Sequence, residues 1–213
     1  MDDDLLRFDK EKCFVFIDCE TLNLSLNFCN NLPWQIGMIK VRGDKILDKK
    51  DFYIKWETDL KISVDAARIT RYDPLRMESR GLSPEEVFPT MKSWLDESDY
   101  IVGHNILGFD IYLIYEMYKK FKASHSHLVD KVIDTYCLAK GMKFSFSFNK
   151  KSNTLLEHQY KMLHTIKKGT KLKLKDLGKE FEIDHNYDNL HDAICDLELN
   201  LKVWNKLKWM IDI

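Results

Sequence analysis

The sequence has no apolar run approaching the ~20 residues that a membrane span needs, and no C-x-x-C pair. Its five cysteines (Cys13, Cys19, Cys29, Cys137, Cys195) are odd in number and widely spread, which argues against a disulfide scaffold or a zinc ribbon. A reduced, intracellular and by default cytoplasmic compartment is expected, with no membrane partner. Glycine (8) and proline (4) are scarce in 213 residues and aromatics reach 12%, so disorder does not describe the chain as a whole. The N-terminus, MDDDLLRFDK, is acidic and lacks the basic-then-apolar layout of a secretion signal. A glycine-rich phosphate loop of Walker type and the H-E-x-x-H zinc pattern are both missing. Nothing in the spacing points to a Ser/His/Asp or Cys/His nucleophile.

The net charge of −1 conceals an uneven distribution. Between Ala139 and Lys175 there are ten lysines against one acid, Glu157, a local +9 that leaves −10 on the rest. Such a patch can engage phosphate backbones through counterion release. Lysine dominates over arginine, which favours backbone contact over base reading. A solvated lysine-rich loop is the plainer alternative.

Cys13–Asp18 (CFVFID) has the length and content of a buried strand. Trp34–Val41 and Ile46–Trp56 follow, joined by Arg42-Gly43-Asp44-Lys45 as a hairpin turn, so the first three strands form a largely antiparallel meander. Thr58–Leu82 reads as irregular. Ser83-Pro84-Glu85-Glu86 opens a helix to about Glu97. Tyr100–Val102 and Val132–Asp134 are short strands. Phe109–Lys122, Thr135–Lys140, Leu172–Phe181 and Leu190–Met210 carry helical spacing. Lys143–Thr170 shows no clear period. The expectation is one α/β domain over residues 1–213, with a Lys-rich insertion at about 143–171.

Acids fall at the ends of these elements. Asp18 and Glu20 close the first strand, and alternation points both the same way. Like charges a few ångströms apart cost energy unless a cation sits between them, although a solvated strand exit would also account for them. Asp110 lies at a helix start after Gly103-His104-Asn105, where it could be a cap. His191, Asp192 and Asp196 head the last helix. Asp192 and Asp196 share a face, and Asn189 is the candidate N-cap, with Asp192 as the structural acid. Together the acids and the histidine form a plausible two-metal constellation. Mg²⁺ takes oxygen ligands and suits phosphate substrates, and a histidine near neutral pKa can accept a proton from water.

These residues resemble the DEDDh 3′–5′ exonucleases of the ribonuclease H-like fold. The first motif is similar to Asp18-Cys19-Glu20-Thr21, the second to Gly103-His104-Asn105…Phe109-Asp110, and the third to His191-x-Ala193-x-x-Asp196. Gln35-Ile36-Gly37, Val132–Thr135 and Leu174–Leu177 agree as supporting segments. Each motif is loose; the ordered set, across roughly residues 12 to 205, is specific. The chain departs from the pattern at Leu22-Asn23, in the five-residue step from Asn105 to Asp110, and at Arg68-Ile69-Thr70-Arg71, which stands where many members carry a His-Gly-Ile-Thr-like segment.

The resemblance implies a mixed β-sheet (antiparallel meander plus parallel strands) flanked by helices. It implies two Mg²⁺ or Mn²⁺ ions on Asp18, Glu20, Asp110 and Asp196, with His191 as general base. The expected reaction is release of nucleoside 5′-monophosphates from a free 3′ end, single-stranded DNA favoured. Thr21 and Leu22 would contact the terminal nucleotide, Leu22 as a wedge under the last base, while Asn105 and Phe109 would shape the pocket. His104 is expected to be structural. Trimming of RNA or short oligoribonucleotides, or a non-catalytic nucleic-acid-binding subunit, are the alternatives. The basic stretch is expected beside the active-site groove, with Lys150, Lys151, Lys167 and Lys168 on phosphates and Phe144, Phe146, Phe148 and Tyr160 available for stacking. An exposed insertion would account for it equally. Oligomeric state and any polymerase partner are not legible.

Overall fold

The computed structural model describes residues 5–26, 31–58 and 60–213. Cys29 lies outside them; the other four cysteines are free thiols, three of them buried. β1 (Cys13–Thr21), β2 (Pro33–Arg42) and β3 (Lys45–Ile54) form the expected antiparallel meander. Arg42 pairs with Lys45, so the turn is only Gly43-Asp44. Gly43 takes a positive φ of 56° there, which glycine adopts without a Cβ clash. β4 (Gly81–Leu82) adds to β3 in parallel, and β5 (Tyr100–Gly103) and β6 (Val132–Asp134) extend the other side in parallel. The sheet runs β4-β3-β2-β1-β5-β6. It is the mixed, helix-flanked sheet expected of the ribonuclease H-like fold.

Period-two alternation along β1 divides the core. Val15, Ile17 and Cys19 face one side, packed with α3 (Pro84–Glu97) and α4 (Asp110–Lys120). Phe14 and Phe16 face the other, packed with α5 (Thr135–Lys143), α7 (Leu174–Glu180) and α8 (Ala193–Leu207). Full burial of each such side chain contributes about 1.5–3 kcal/mol. Asp18 and Glu20 continue the Phe14–Phe16 row and therefore point to the α8 side.

Two stretches are more ordered than their composition suggested. Thr58–Leu82 holds α1 (Val64–Ile69), capped by Ser63, and α2 (Pro74–Arg80), capped by Asp73. Lys143–Thr170 holds α6 (Leu155–His164), which opens with a full capping box between Thr154 and Glu157. From α6 the buried Gln159 reaches edge strand β6: its Oε1 accepts the Asp134 amide at 2.6 Å and its Nε2 donates to the Val132 carbonyl at 2.9 Å. One side chain thus supplies the pairing a further strand would give. Among the described residues, no helix is long and apolar enough to cross a membrane.

Candidate active site

β1 runs past its parallel neighbour. Phe16 pairs with Val102, and β5 ends one residue later at Gly103 while β1 continues to Thr21. The overhang leaves the backbone of Cys19 without a strand partner on that edge. Asp110, at the head of α4, fills the gap: its Oδ1 accepts the Cys19 amide at 3.0 Å. This places the Asp110 carboxylate against β1 between Asp18 and Glu20. On the β2 side Asp18 pairs with Gly37 and Glu20 with Gln35. Gly37 is required by close approach, since a Cβ there would stand 3.0 Å from Ala193. The head of α8 therefore rests directly on the sheet below the two acids.

The helix begins later than the sequence suggested. Asp192, not Asn189, is the N-cap, and its side chain accepts the Cys195 amide at 3.2 Å. The residue before it, His191, has a left-handed φ of 71°, and its amide donates to both oxygens of Asp196 at 3.3 Å. This reversal brings His191 to the acids although five residues separate it from Asp196. One ligand atom from each of Glu20, His191 and Asp196 lies within 4.8 Å of the others. Glu20 is buried, Asp196 half-buried and His191 exposed.

Burial first, then the charges of Asp110, Asp196, Glu20 and Asp192, push the Asp18 carboxyl well above its ordinary range. Burial followed by Asp196, Asp110 and Asp192 pushes Glu20 up to about 8. Asp110 rises to about 7, chiefly by burial, with the Cys19 amide opposing. Asp196 rises to about 6 through burial, opposed by the His191 amide and aided by Asp192. Four carboxyl groups that resist ionisation together are a donor set that divalent cations would neutralise. The residues therefore fit a divalent-metal site. His191 moves the other way: burial, then Arg71, Lys175 and Lys173, hold its imidazole below the usual value, so it is the free base at neutral pH.

The remaining candidates differ in placement. Thr21 is buried and its hydroxyl donates to the Asn23 carbonyl. Leu22 is buried among Trp34, Tyr53 and Met77 rather than standing out as a wedge. Asn105 takes a left-handed φ of 64° and donates its amide to Asp134 at 2.9 Å. Phe109 is half-buried against the α3/α4 core. His104 is structural: Nε2 faces the Leu172 carbonyl at 2.9 Å, which requires an N–H there, and burial lowers its pKa to about 4. Asp134, within the supporting segment Val132–Thr135, has a role that its sequence position alone did not assign. Fully buried, it accepts amides from Asn105, Leu107, Tyr136 and Cys137 and so holds the Asn105–Asp110 loop to β6. Its position at a strand-to-helix junction was the available signal.

The basic stretch does not form one patch beside these acids. Lys150 and Lys151 line a cavity of about 730 Å³ with Lys12 and Tyr100, at the N-terminal ends of β1 and β5, opposite the site. Lys167 lies over the Phe144 ring and Lys161 over Phe146. Phe148 packs edge-on to His158, and Tyr160 is partly buried against the core.

The RNase_T family, described as exonuclease, matches residues 15–204 of the chain. Among curated proteins no sequence matches. A structure of exonuclease I superposes with a TM-score of 0.73 at 18% identity, covering 93% of this chain and 41% of that one. Escherichia coli exonuclease I in complex with a dT13 oligonucleotide gives 0.71 at 17%, with the same coverage. The zinc-bound E. coli exonuclease I–single-stranded DNA complex gives 0.71 at 18%, again covering 93% and 41%. The chain thus spans about two-fifths of the length of these proteins, and at such identities the likeness is one of fold.

Proposed function

The chain belongs to the RNase_T exonuclease family, and from that premise we propose that it is a metal-dependent 3′–5′ exonuclease acting on single-stranded DNA and releasing nucleoside 5′-monophosphates. The observation that carries this reading is the convergence of Glu20, His191 and Asp196 within 4.8 Å, beside the half-buried Asp18 and the buried Asp110.

Asp18, Glu20, Asp110 and Asp196 would hold two divalent cations, Mg²⁺ or Mn²⁺, which when bound supply charge neutralisation at the scissile phosphate. The carboxylates deliver that charge to a fixed place, because the Cys19 and His191 amides orient Asp110 and Asp196. His191, neutral and at the rim, accepts the proton of the attacking water on its ring. Thr21, Asn105 and Phe109 would border the terminal nucleotide, and Leu22 would support it from below. The choice of DNA is supported by the oligonucleotide complexes of exonuclease I; RNA is the competing substrate on the same site.

The test is a digestion panel of single- and double-stranded DNA and RNA, labelled at either end, with Mg²⁺, Mn²⁺ or EDTA. Mononucleotide release from the 3′ end of single-stranded DNA is expected, abolished by EDTA and by Asp18→Ala or Asp196→Ala in folded protein. Undiminished release by both variants removes the assignment, and a preference for RNA replaces the substrate.

A further inference from the structure

We propose that Lys171, Lys173 and Lys175 form a phosphate rail that holds the nucleic-acid backbone next to the catalytic acids, whereas Lys150 and Lys151 take no part in substrate binding. The proposal rests on the exonuclease reading for the identity of the anion. The sequence Lys-Leu-Lys-Leu-Lys alternates, and the structure turns that alternation into two faces. Leu172 is buried and Leu174 partly buried in the α8-side core, while all three lysines are exposed. None of them is ion-paired to a carboxylate within 4 Å among the described residues.

The segment is anchored at both of its first two carbonyls. His104 donates to the Leu172 carbonyl at 2.9 Å and Lys143 to the Lys171 carbonyl at 2.8 Å. His104 directly follows the end of β5 and precedes Asn105, so the anchor ties the lysines to the loop that delivers Asp110. Lys173 is the N-cap of α7, which takes in Leu174 and Lys175, and Leu177 in the same helix is buried in the core that α8 shares, whose head carries Asp196. The three ammonium groups are therefore set on a fixed backbone at the catalytic end of the sheet. Lys173 and Lys175 lie between the Leu172 carbonyl held by His104 and Leu177, which packs in the same core as α8. Fixed cations outside a cluster of acids answer a physical need. A polyanion approaching four carboxylates is repelled unless its flanking phosphates are neutralised elsewhere. Lys150 and Lys151, at the far end of β5, are too remote to do this for a strand whose end lies at the site.

The test measures binding of a 3′-ended single-stranded oligonucleotide by fluorescence anisotropy in EDTA, which blocks hydrolysis, from low to moderate salt. Each phosphate contact on a single strand contributes about 0.7 to the slope of log affinity against log salt. The K171Q/K173Q/K175Q variant should lose about 2 units of slope if all three lysines engage phosphates. With metal present, its KM should rise. K150Q/K151Q should match the wild type in both. An unchanged slope in the triple variant, or a loss carried by the Lys150/Lys151 pair, overturns the rail. Failure of the wild type to hydrolyse any 3′ end while the slope difference persists would overturn the exonuclease reading and leave the rail standing. All five substituted positions are exposed lysines outside the core, and unfolding curves check that the fold is kept.

Discussion

The backbone amide of Cys19 donates to the carboxylate of Asp110 across 91 positions of sequence, at 3.0 Å in a buried setting. The contact ties the first acidic motif to the second, and it separates two roles of one side chain. Asp110→Asn retains an oxygen that can accept the Cys19 amide but removes a carboxylate charge. It should keep native stability and lose activity. Asp110→Ala should lose activity and also about 1–3 kcal/mol of stability, because a buried amide is left without a partner. Urea unfolding of both variants checks this; equal stability of the two would mean that the amide finds another acceptor.

His191 is held as a neutral base by burial and by the cations around it, of which Arg71 ranks first. Arg71 sits at a left-handed φ of 53° and donates to the Asp188 carbonyl, so its charge is fixed in place. Removing a positive charge makes the imidazole easier to protonate, so its pKa rises. Arg71→Gln should therefore move the acid limb of the kcat/KM profile to higher pH, and Arg71→Lys should restore it. His191→Ala should lower kcat by about 10²–10⁴-fold, the usual contribution of a general base. An acid limb that stays put in Arg71→Gln would assign that limb to the carboxylates.

The three acidic motifs were legible because each sits at one end of a strand or helix, and period-two alternation alone put Asp18 and Glu20 on one face. The helix start at α8 was misplaced because local capping rules allowed Asn189; the left-handed turn at His191, which shifts the cap to Asp192, depends on the hydrogen bonds to Asp196. Helix α6 carries the same kind of capping box as α3. Thr154-x-x-Glu157 was overlooked because the surrounding lysines and phenylalanines masked the apolar spacing of Leu155, Leu156, Met162 and Leu163. The separation of Lys150 and Lys151 from Lys171–Lys175 could not be read from charge density, since adjacency in sequence says nothing about which end of a sheet a side chain occupies.

Asp134 gathers four backbone amides in the interior, Asn105 and Leu107 from the loop and Tyr136 and Cys137 from the head of α5. Asp134→Asn would present a donor where the native carboxylate accepts, so at least one amide faces an N–H. Asp134→Ala leaves all four unsatisfied. Both should destabilise, by about 1–3 kcal/mol for a single orphaned amide and more for several. Activity should fall in step, since the same loop carries Asp110. Hydrogen exchange at Asn105 and Leu107 checks the mechanism; protection equal to wild type in Asp134→Ala would show that the loop is held by its own turn.

The acids reverse the common pH dependence of stability. An unfolded chain ionises its carboxyl groups near pH 4, whereas in the cation-free fold Glu20 ionises at about 8, Asp110 at about 7, Asp196 at about 6 and Asp18 well above its ordinary range. Between those limits these four groups bind more protons in the folded state than in the unfolded one. Their contribution to stability then falls as pH rises from about 4 to about 8, with the buried His104, lowered to about 4, working in the opposite sense in the acid part of that range. Divalent cations compete with those protons, so their stabilisation should grow over the same interval and their binding should release protons. Thermal unfolding in EDTA and in Mg²⁺, from about pH 5 to about pH 8.5, should show a Tm that declines with pH in EDTA and a widening gap between the two curves. Asp18→Asn with Asp196→Asn should flatten the EDTA curve and close the gap. A gap of constant width across the range would mean that the cations bind somewhere other than these four side chains.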